Sequence, residues 1–314
     1  MAKIFDHPFR PVEAPKADPP EFQLIEAMKG AGLVPPDKVH LDGKLHRWGG
    51  SGKRDKNSWY CCFADGIPAG RFGDWRLDLE VTWRADVGRS LTSAEQMAHS
   101  RRLSESKKVR DAEMAQKREV ASNTVEMIWS KCTGSEDTHP YLQRKGVKSH
   151  GSRVTGDGRL ALPLYGEDGS ISSLQYINSE GSKQFHSGGA VSGKFWTLGS
   201  MDDAGPLFIA EGFATSATVY EVTGRPCVVA YSASNMPAVA ELMRAKYGAE
   251  QEIIVVADND EHGVGQKYAD LANDKAGAKV VMPPISGDAN DYAQATSGQD
   301  LLDLLMPPSS SIYD

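Results

Sequence analysis

Apolar and polar positions follow two different rhythms along the chain. In the last third, the apolar runs LFIA, PCVVAY, EIIVVAD and AKVVMP alternate with stretches whose apolar residues recur at helical spacing. This predicts four strands separated by helices over about 215–222, 237–247 and 265–276, with LLDLL closing as a short helix. Strands that are apolar throughout, between helices, predict a mainly parallel sheet covered on both faces. Upstream, RLALPLYGEDGSISSLQYI reads as a hairpin turning at Glu167-Asp168-Gly169, and KQFHSGG and GKFWTLG as short strands. THPYLQRKGV reads as a cap and a short helix stopped at Gly146.

Before that, Thr92 and Glu95 stand in capping-box register and open a helix without Pro or Gly that runs to about Lys131. It is nearly all polar up to Arg118, then regains Val120, Val125, Met127, Ile128 and Trp129, so it begins exposed and ends docked. From Leu41 to Trp83, WYCCFADG, RFGDW and DLEVTW predict short strands with tight turns, preceded by a short helix over 22–31. The expected division is a flexible arm (1–20), a β-rich N-terminal domain (21–91), the charged helix (92–131), a mixed α+β segment (132–205), the parallel α/β domain (206–306) and a tail (307–314).

Composition narrows the class. An apolar fraction of 40% and a charged fraction of 25% over 314 residues describe a globular protein of about two domains and exclude collagen-like or wholly disordered chains. No apolar run reaches the ~18 residues of a membrane span, and the start lacks the apolar core of a signal peptide. Four cysteines (Cys61, Cys62, Cys132, Cys227) are too few for a disulfide framework, so a reducing cytoplasm is the expected compartment. The net charge of −7 is unevenly spread: residues 206–314 hold 6 Lys/Arg against 15 Asp/Glu, whereas 44–118 hold 16 against 10.

The chemistry gathers at predicted strand ends, where open parallel sheets bind ligands. LFIA runs into Glu211-Gly212, EIIVVA into Asp258-Asn259-Asp260, and AKVVMP is followed by Asp288-Ala289-Asn290-Asp291. A lone acid at such a place is most simply a helix cap. Three acidic clusters on one rim repel one another unless a hard cation, Mg²⁺ or Mn²⁺, lies among them. Asp258 and Asp260, as alternate residues, are expected to face that cation together.

With these motifs in order, residues 206–305 resemble a Toprim domain, the metal-binding fold of bacterial primases, topoisomerases and some nucleases. The resemblance implies Glu211 as general acid/base, Asp258 and Asp260 as metal ligands, and one or both of Asp288 and Asp291 completing a site for roughly one to three ions. Gly212 fits a close turn beside the ligand. The segment from THPYLQRKGV to GKFWTLG is similar to the one preceding Toprim in DnaG-type primases, closest to phage- and plasmid-encoded forms. It implies Arg159, Lys183 and Lys194, with Gly212 and Asn290, as nucleotide- or template-binding residues. Plain surface cations are the alternative for the basic ones.

DGKLHRWGGSGKRDKNSWYCCFADGIPAGRFGDWR also looks like the leader of such mobile-element primases. Arg47, Lys53, Arg54 and Lys56, interleaved with Trp48, Trp59 and Tyr60, could meet phosphates and bases; equally, the aromatics could form the core of a small β-subdomain. GGSGKR lacks the residues of a phosphate-binding P-loop, so no helicase motor is read in this sequence. Adjacent Cys61 and Cys62, without C-x-x-C or matching histidines, make zinc unexpected. Tyr231, in AYSASN, is not expected to be a topoisomerase nucleophile, since large strand-gate domains do not fit in the remaining residues.

The expected function is a DNA primase of a phage, plasmid or other mobile element, making RNA primers from NTPs on single-stranded DNA beside a separate replicative helicase. A Toprim nuclease, and a non-catalytic factor binding a host primase or helicase, are the alternatives.

Overall fold

The computed structural model describes residues 18–49, 56–74, 77, 79–89, 92–201, 205–261 and 263–308. The expected arm up to residue 17, the cations Lys53 and Arg54, and the tail from residue 309 lie outside the described residues. The chain divides into two compact units, Met1–Arg110 and Asp111–Asp314. No helix among the described residues is long and apolar enough to cross a membrane.

In the first unit, helix α1 (Pro20–Gly30) starts on a proline at its first turn, where a missing N–H costs nothing, and buries Leu24 and Met28 one turn apart. The strands β1 (His46–Trp48), β2 (Ser58–Phe63), β3 (Ala69–Asp74) and β4 (Leu79–Arg84) form an antiparallel sheet in sequence order. Along β2, Ser58, Tyr60 and Cys62 are buried while Trp59, Cys61 and Phe63 point to the more open face. Tyr60 and Cys62 join Phe72, Trp83, Leu24 and Met28 in one core.

Helix α2 spans Ser93–Lys131. In the second unit its end docks through Val125, Ile128 and Trp129 onto Ala161, Ile171, Leu174 and Tyr176. Arg153 lies over the Trp129 ring, 4.3 Å from its centroid, and donates to the Trp129 carbonyl at 2.7 Å. Val120 and Met127, counted in the sequence with the docking residues, instead point outward at 60% and 58% exposure. They sit on the opposite side of the helix from Val125.

An antiparallel sheet follows, ordered β5 (Thr133–Gly134), β6 (Arg153–Val154), β7 (Leu160–Tyr165), β8 (Ile171–Ile177) and β9 (Lys183–Phe185). Helix α3 (Pro140–Lys145) is capped by the His139 side chain, which accepts from the Tyr141 amide, and stops at Gly146 in the left-handed region. Strand β7 is buried on both faces: Ala161 faces α2, and Leu160, Leu162 and Leu164 face Tyr141 and Leu142 of α3. Pro163 is tolerated in this strand because two-residue β6 pairs only with Leu160 and Ala161.

The third sheet has the order β10-β12-β11-β13-β14, built from β10 (Trp196–Leu198), β11 (Leu207–Ala210), β12 (Cys227–Val229), β13 (Ile253–Val256) and β14 (Lys279–Val281). All pairs are parallel except β10 with β12. One face packs on α5 (Met236–Tyr247) and α6 (Val264–Ala276), through Leu207, Ile209, Ile253 and Val255. The other, through Phe208, Ala210, Ile254 and Val256, packs on α4 (Phe213–Thr223), α7 (Ala289–Ala295) and α8 (Gly298–Leu305). This is the mainly parallel α/β sheet expected from the apolar runs, with one antiparallel edge strand drawn from upstream. Helix α7 was not predicted: seven residues are too short a run to carry a readable period.

Candidate active site

The chain runs from β11 to β12 on one side of it, then returns to β13 on the other. Because α4 and α6 leave toward opposite faces, the loops after β11 and β13 part and form a crevice at the topological switch point. Glu211 follows β11 directly, and Asp258 follows the end of β13 by two residues. The Asp288 loop is drawn alongside by Asn259 and Gly287, whose amides each donate to the other's carbonyl at 2.9 Å. Gly265 lets α6 start hard against Asp258, since a Cβ there would lie 2.3 Å from the Asp258 carbonyl oxygen.

The crevice is a cleft of about 320 Å³. Glu211, Asp258 and Asp288 line it from the parallel sheet, while Arg144, Lys145 and Lys183 line it from the antiparallel part of the same unit. Burial, followed by the neighbouring charges of Glu211 and Asp288, pushes Asp258 up to about 7 even though Lys183 pulls the other way. Glu211 is also raised, by burial first and by Asp260 and Asp288, against the opposing pull of Lys183 and a backbone hydrogen bond from Ala233. One oxygen of Asp258, Oδ1, is buried without a hydrogen-bond partner.

The remaining acids are held differently. Strand geometry stops at Val256, so Asp258 and Asp260 do not simply alternate to one side. Asp260 accepts from the amides of Val264 and Gly265 at 3.1 and 2.8 Å, at the start of α6, and is not among the residues lining the cleft. Asp288 and Asp291 form a reciprocal capping box at the start of α7. Asp291 also accepts from Lys145 Nζ at 2.9 Å, and this ion pair holds its carboxyl below the usual range despite the upward pull of burial.

Among the basic candidates, Lys183 reaches the cleft, with its Nζ 3.3 Å from where a Gly212 side chain would begin. Gly212 itself has φ −103°, a backbone any residue adopts, so no close turn requires glycine there. Arg159 pairs with Asp157 at 2.8 Å and lies over the Tyr176 ring, away from the cleft lining. Lys194 sits by Gly166 and Asp168, also outside that lining. Asn290, expected to meet the nucleotide, is 2% exposed and cannot do so. Its amide donates to the Lys145 carbonyl at 2.7 Å and to Thr218 Oγ1 at 2.8 Å.

In the first unit, Tyr60 is likewise no stacking platform: it is 2% exposed, and its hydroxyl accepts from the His40 amide at 3.0 Å. Trp48 is half-buried and donates its indole N–H to the Val34 carbonyl at 2.7 Å. Arg47 and Lys56 are exposed, and Trp59 is on the more open face of β2. The sequence reading passed over Arg144 and Lys145. The available signal was a pair of adjacent cations just before the glycine that stops α3.

Among the described residues, no three His, Cys, Asp or Glu side chains converge as a ready-made metal group. The acidic set nevertheless suits a hard cation, for three reasons. Its donors are all oxygen, Asp258 Oδ1 is buried without a partner, and the carboxylates raise one another's proton affinity.

The chain is similar to known proteins over part or most of its length. Residues 206–299 match the Toprim domain family. A DNA primase TraC of Escherichia coli is 30% identical over 299 residues, an alignment covering 90% of this chain and 28% of that protein. A second Escherichia coli DNA primase TraC is 30% identical over 292 residues, covering 87% and 20% respectively. The chain thus spans less than a third of the length of these relatives. Among solved structures, the primase fragment of the bacteriophage T7 primase-helicase protein is 14% identical at a TM-score of 0.42, covering 82% of this chain and 97% of that one. The Aquifex aeolicus primase (zinc binding and RNA polymerase domains) is 11% identical at 0.44, covering 83% and 80%.

Proposed function

We propose that this Toprim-bearing chain is a DNA primase of a mobile element, joining ribonucleotides on single-stranded DNA in the cytoplasm of a bacterial host, beside a separate helicase. The observation that carries the reading is the cleft itself, in which Glu211, Asp258 and Asp288 share one space with Arg144, Lys145 and Lys183. Cations from α3 and β9, facing carboxylates beyond the strand ends of the parallel sheet, suit a ligand that brings both phosphate and divalent metal. The similarity to the two TraC primases over most of the chain supports the same reading.

The reaction forms a bond between a 3′-oxygen and the α-phosphorus of an NTP, and breaks the α–β bond to release pyrophosphate. Mg²⁺ or Mn²⁺, held by Glu211, Asp258, Asp260 and either Asp288 or Asp291, would make the 3′-hydroxyl more acidic and offset the charge of the leaving group. Lys183, Arg144 and Lys145 would set the triphosphate against the acidic rim and neutralise its charge. Glu211, made more basic by burial, would either take the hydroxyl proton directly or hold a second ion. Candidate DNA contacts outside the cleft are Arg159, Lys194, Arg47, Lys56, Trp48 and Trp59, with Lys53 and Arg54.

Primer synthesis on single-stranded DNA with labelled NTPs and Mg²⁺ or Mn²⁺ tests this. Asp258→Ala is expected to abolish it. Equal synthesis by both proteins would remove this cleft from the mechanism, and metal-dependent DNA cleavage without NTPs would make the chain a nuclease.

A further inference from the structure

Helix α3 ends with the two cations that line the cleft, and such an end leaves four carbonyls to be satisfied. Those of Leu142 and Gln143 accept from Val147 and Gly146, at 3.1 and 3.2 Å. Those of Arg144 and Lys145 accept from side chains about 150 residues away: Gln294 Nε2 at 3.3 Å and Asn290 Nδ2 at 2.7 Å. Asn290 and Gln294 are one turn apart on α7, so a single helix face supplies both caps. Asn290 is buried, and its orientation is fixed because the Lys145 carbonyl can only accept. Its second bond, to Thr218 Oγ1, ties the same amide to α4. On the same turn of α7, the next residue, Asp291, holds Lys145 Nζ.

We infer that Asn290, with Gln294, is a positioning device: it fixes the basic end of α3 against the acidic rim and so sets where Lys145 and Arg144 meet a nucleoside triphosphate. Asn290 touches no substrate; it acts through the backbone of Lys145. The inference rests on the cleft being a nucleotide site, as proposed above.

A mutant cycle tests it, read by the affinity of a fluorescent ATP analogue and, separately, of Mn²⁺. Asn290→Ala and Lys145→Ala should each weaken analogue binding by about tenfold, one lost hydrogen bond or ion pair to a charged ligand. The double variant should lose clearly less than the sum of the two single losses, because Asn290 acts in large part through Lys145. Mn²⁺ affinity of Asn290→Ala should stay within about twofold of wild type, which general damage to the fold would not allow. Gln294→Ala, at the exposed end of the same face, provides the same readout with the buried amide intact, and should weaken the analogue but not Mn²⁺. Additive losses in the double variant, unchanged analogue binding in Asn290→Ala, or a parallel loss of Mn²⁺ would overturn the inference. Failure of the wild type to bind the analogue at all would sink the polymerase reading, and this inference with it.

Discussion

Asp258 is the residue at which burial and charge act most strongly together. Its carboxyl titrates at about 7 in the folded chain against an ordinary 3.8. Between these values the folded state binds a proton that the unfolded state has released, so stability falls as pH rises from about 4 to about 7. The penalty is complete above 7 and is worth at most about 4 kcal/mol. Asp258→Asn, which stays neutral, should therefore melt higher than wild type at pH 8 in EDTA and equally at pH 3.5. Mg²⁺ should shrink the gap at pH 8 by stabilising the charged form; a melting difference that ignores both pH and Mg²⁺ would contradict this. The acids of the rim were legible in the sequence because each acidic cluster comes next after an apolar strand, Glu211 at once and Asp258 and Asp288 after a short loop. Their division of labour was not. Asp260 turns to the amides of Val264 and Gly265, and Asn290 to the Lys145 carbonyl, and neither partner shows in local spacing. Lys145 went unnoticed because its acidic partner lies 146 positions away.

At the scale of elements, the legible parts are those whose burial repeats at a fixed period. The strands of the parallel sheet and helices α4, α5 and α6 lie where continuous and helical apolar spacing put them. Helix α7 escaped because its apolar positions, Ala289, Tyr292 and Ala293, are too few to set a readable period, and a capping box and side chains donated to α3 complete its fixing. Helix α2 illustrates the middle case. Its return of apolar residues was visible, but which of them dock depends on a surface met only in three dimensions. Val125 is fully buried and Val120 is 60% exposed, five residues apart. Val125→Ala should cost about 2 kcal/mol as a truncated core contact, and Val120→Ala within about 0.5 kcal/mol, compared by urea unfolding. Equal costs would mean that α2 docks through another face.

For the whole molecule, the uneven charge governs how a polyanion is received. Residues 206–314 carry a net −9, and the carboxylates that could bind metal are part of that excess. At fixed ionic strength, single-stranded DNA should bind several-fold more tightly with Mn²⁺ than with EDTA, read by fluorescence anisotropy. Identical affinities would place the DNA path away from the acidic rim. The sheet that carries this rim begins before the domain family's match does. Trp196–Leu198 pairs antiparallel with Cys227–Val229, although the matched region starts at residue 206. A fragment cut at Pro206 for crystallography or for a chimaera would lose its guard strand and bare the unpaired edge of an entirely buried, apolar strand. Such a piece would tend to self-associate into sheets before it could report on catalysis. A usable minimal fragment has to start upstream of Trp196, so its boundary is set by backbone pairing and not by family similarity.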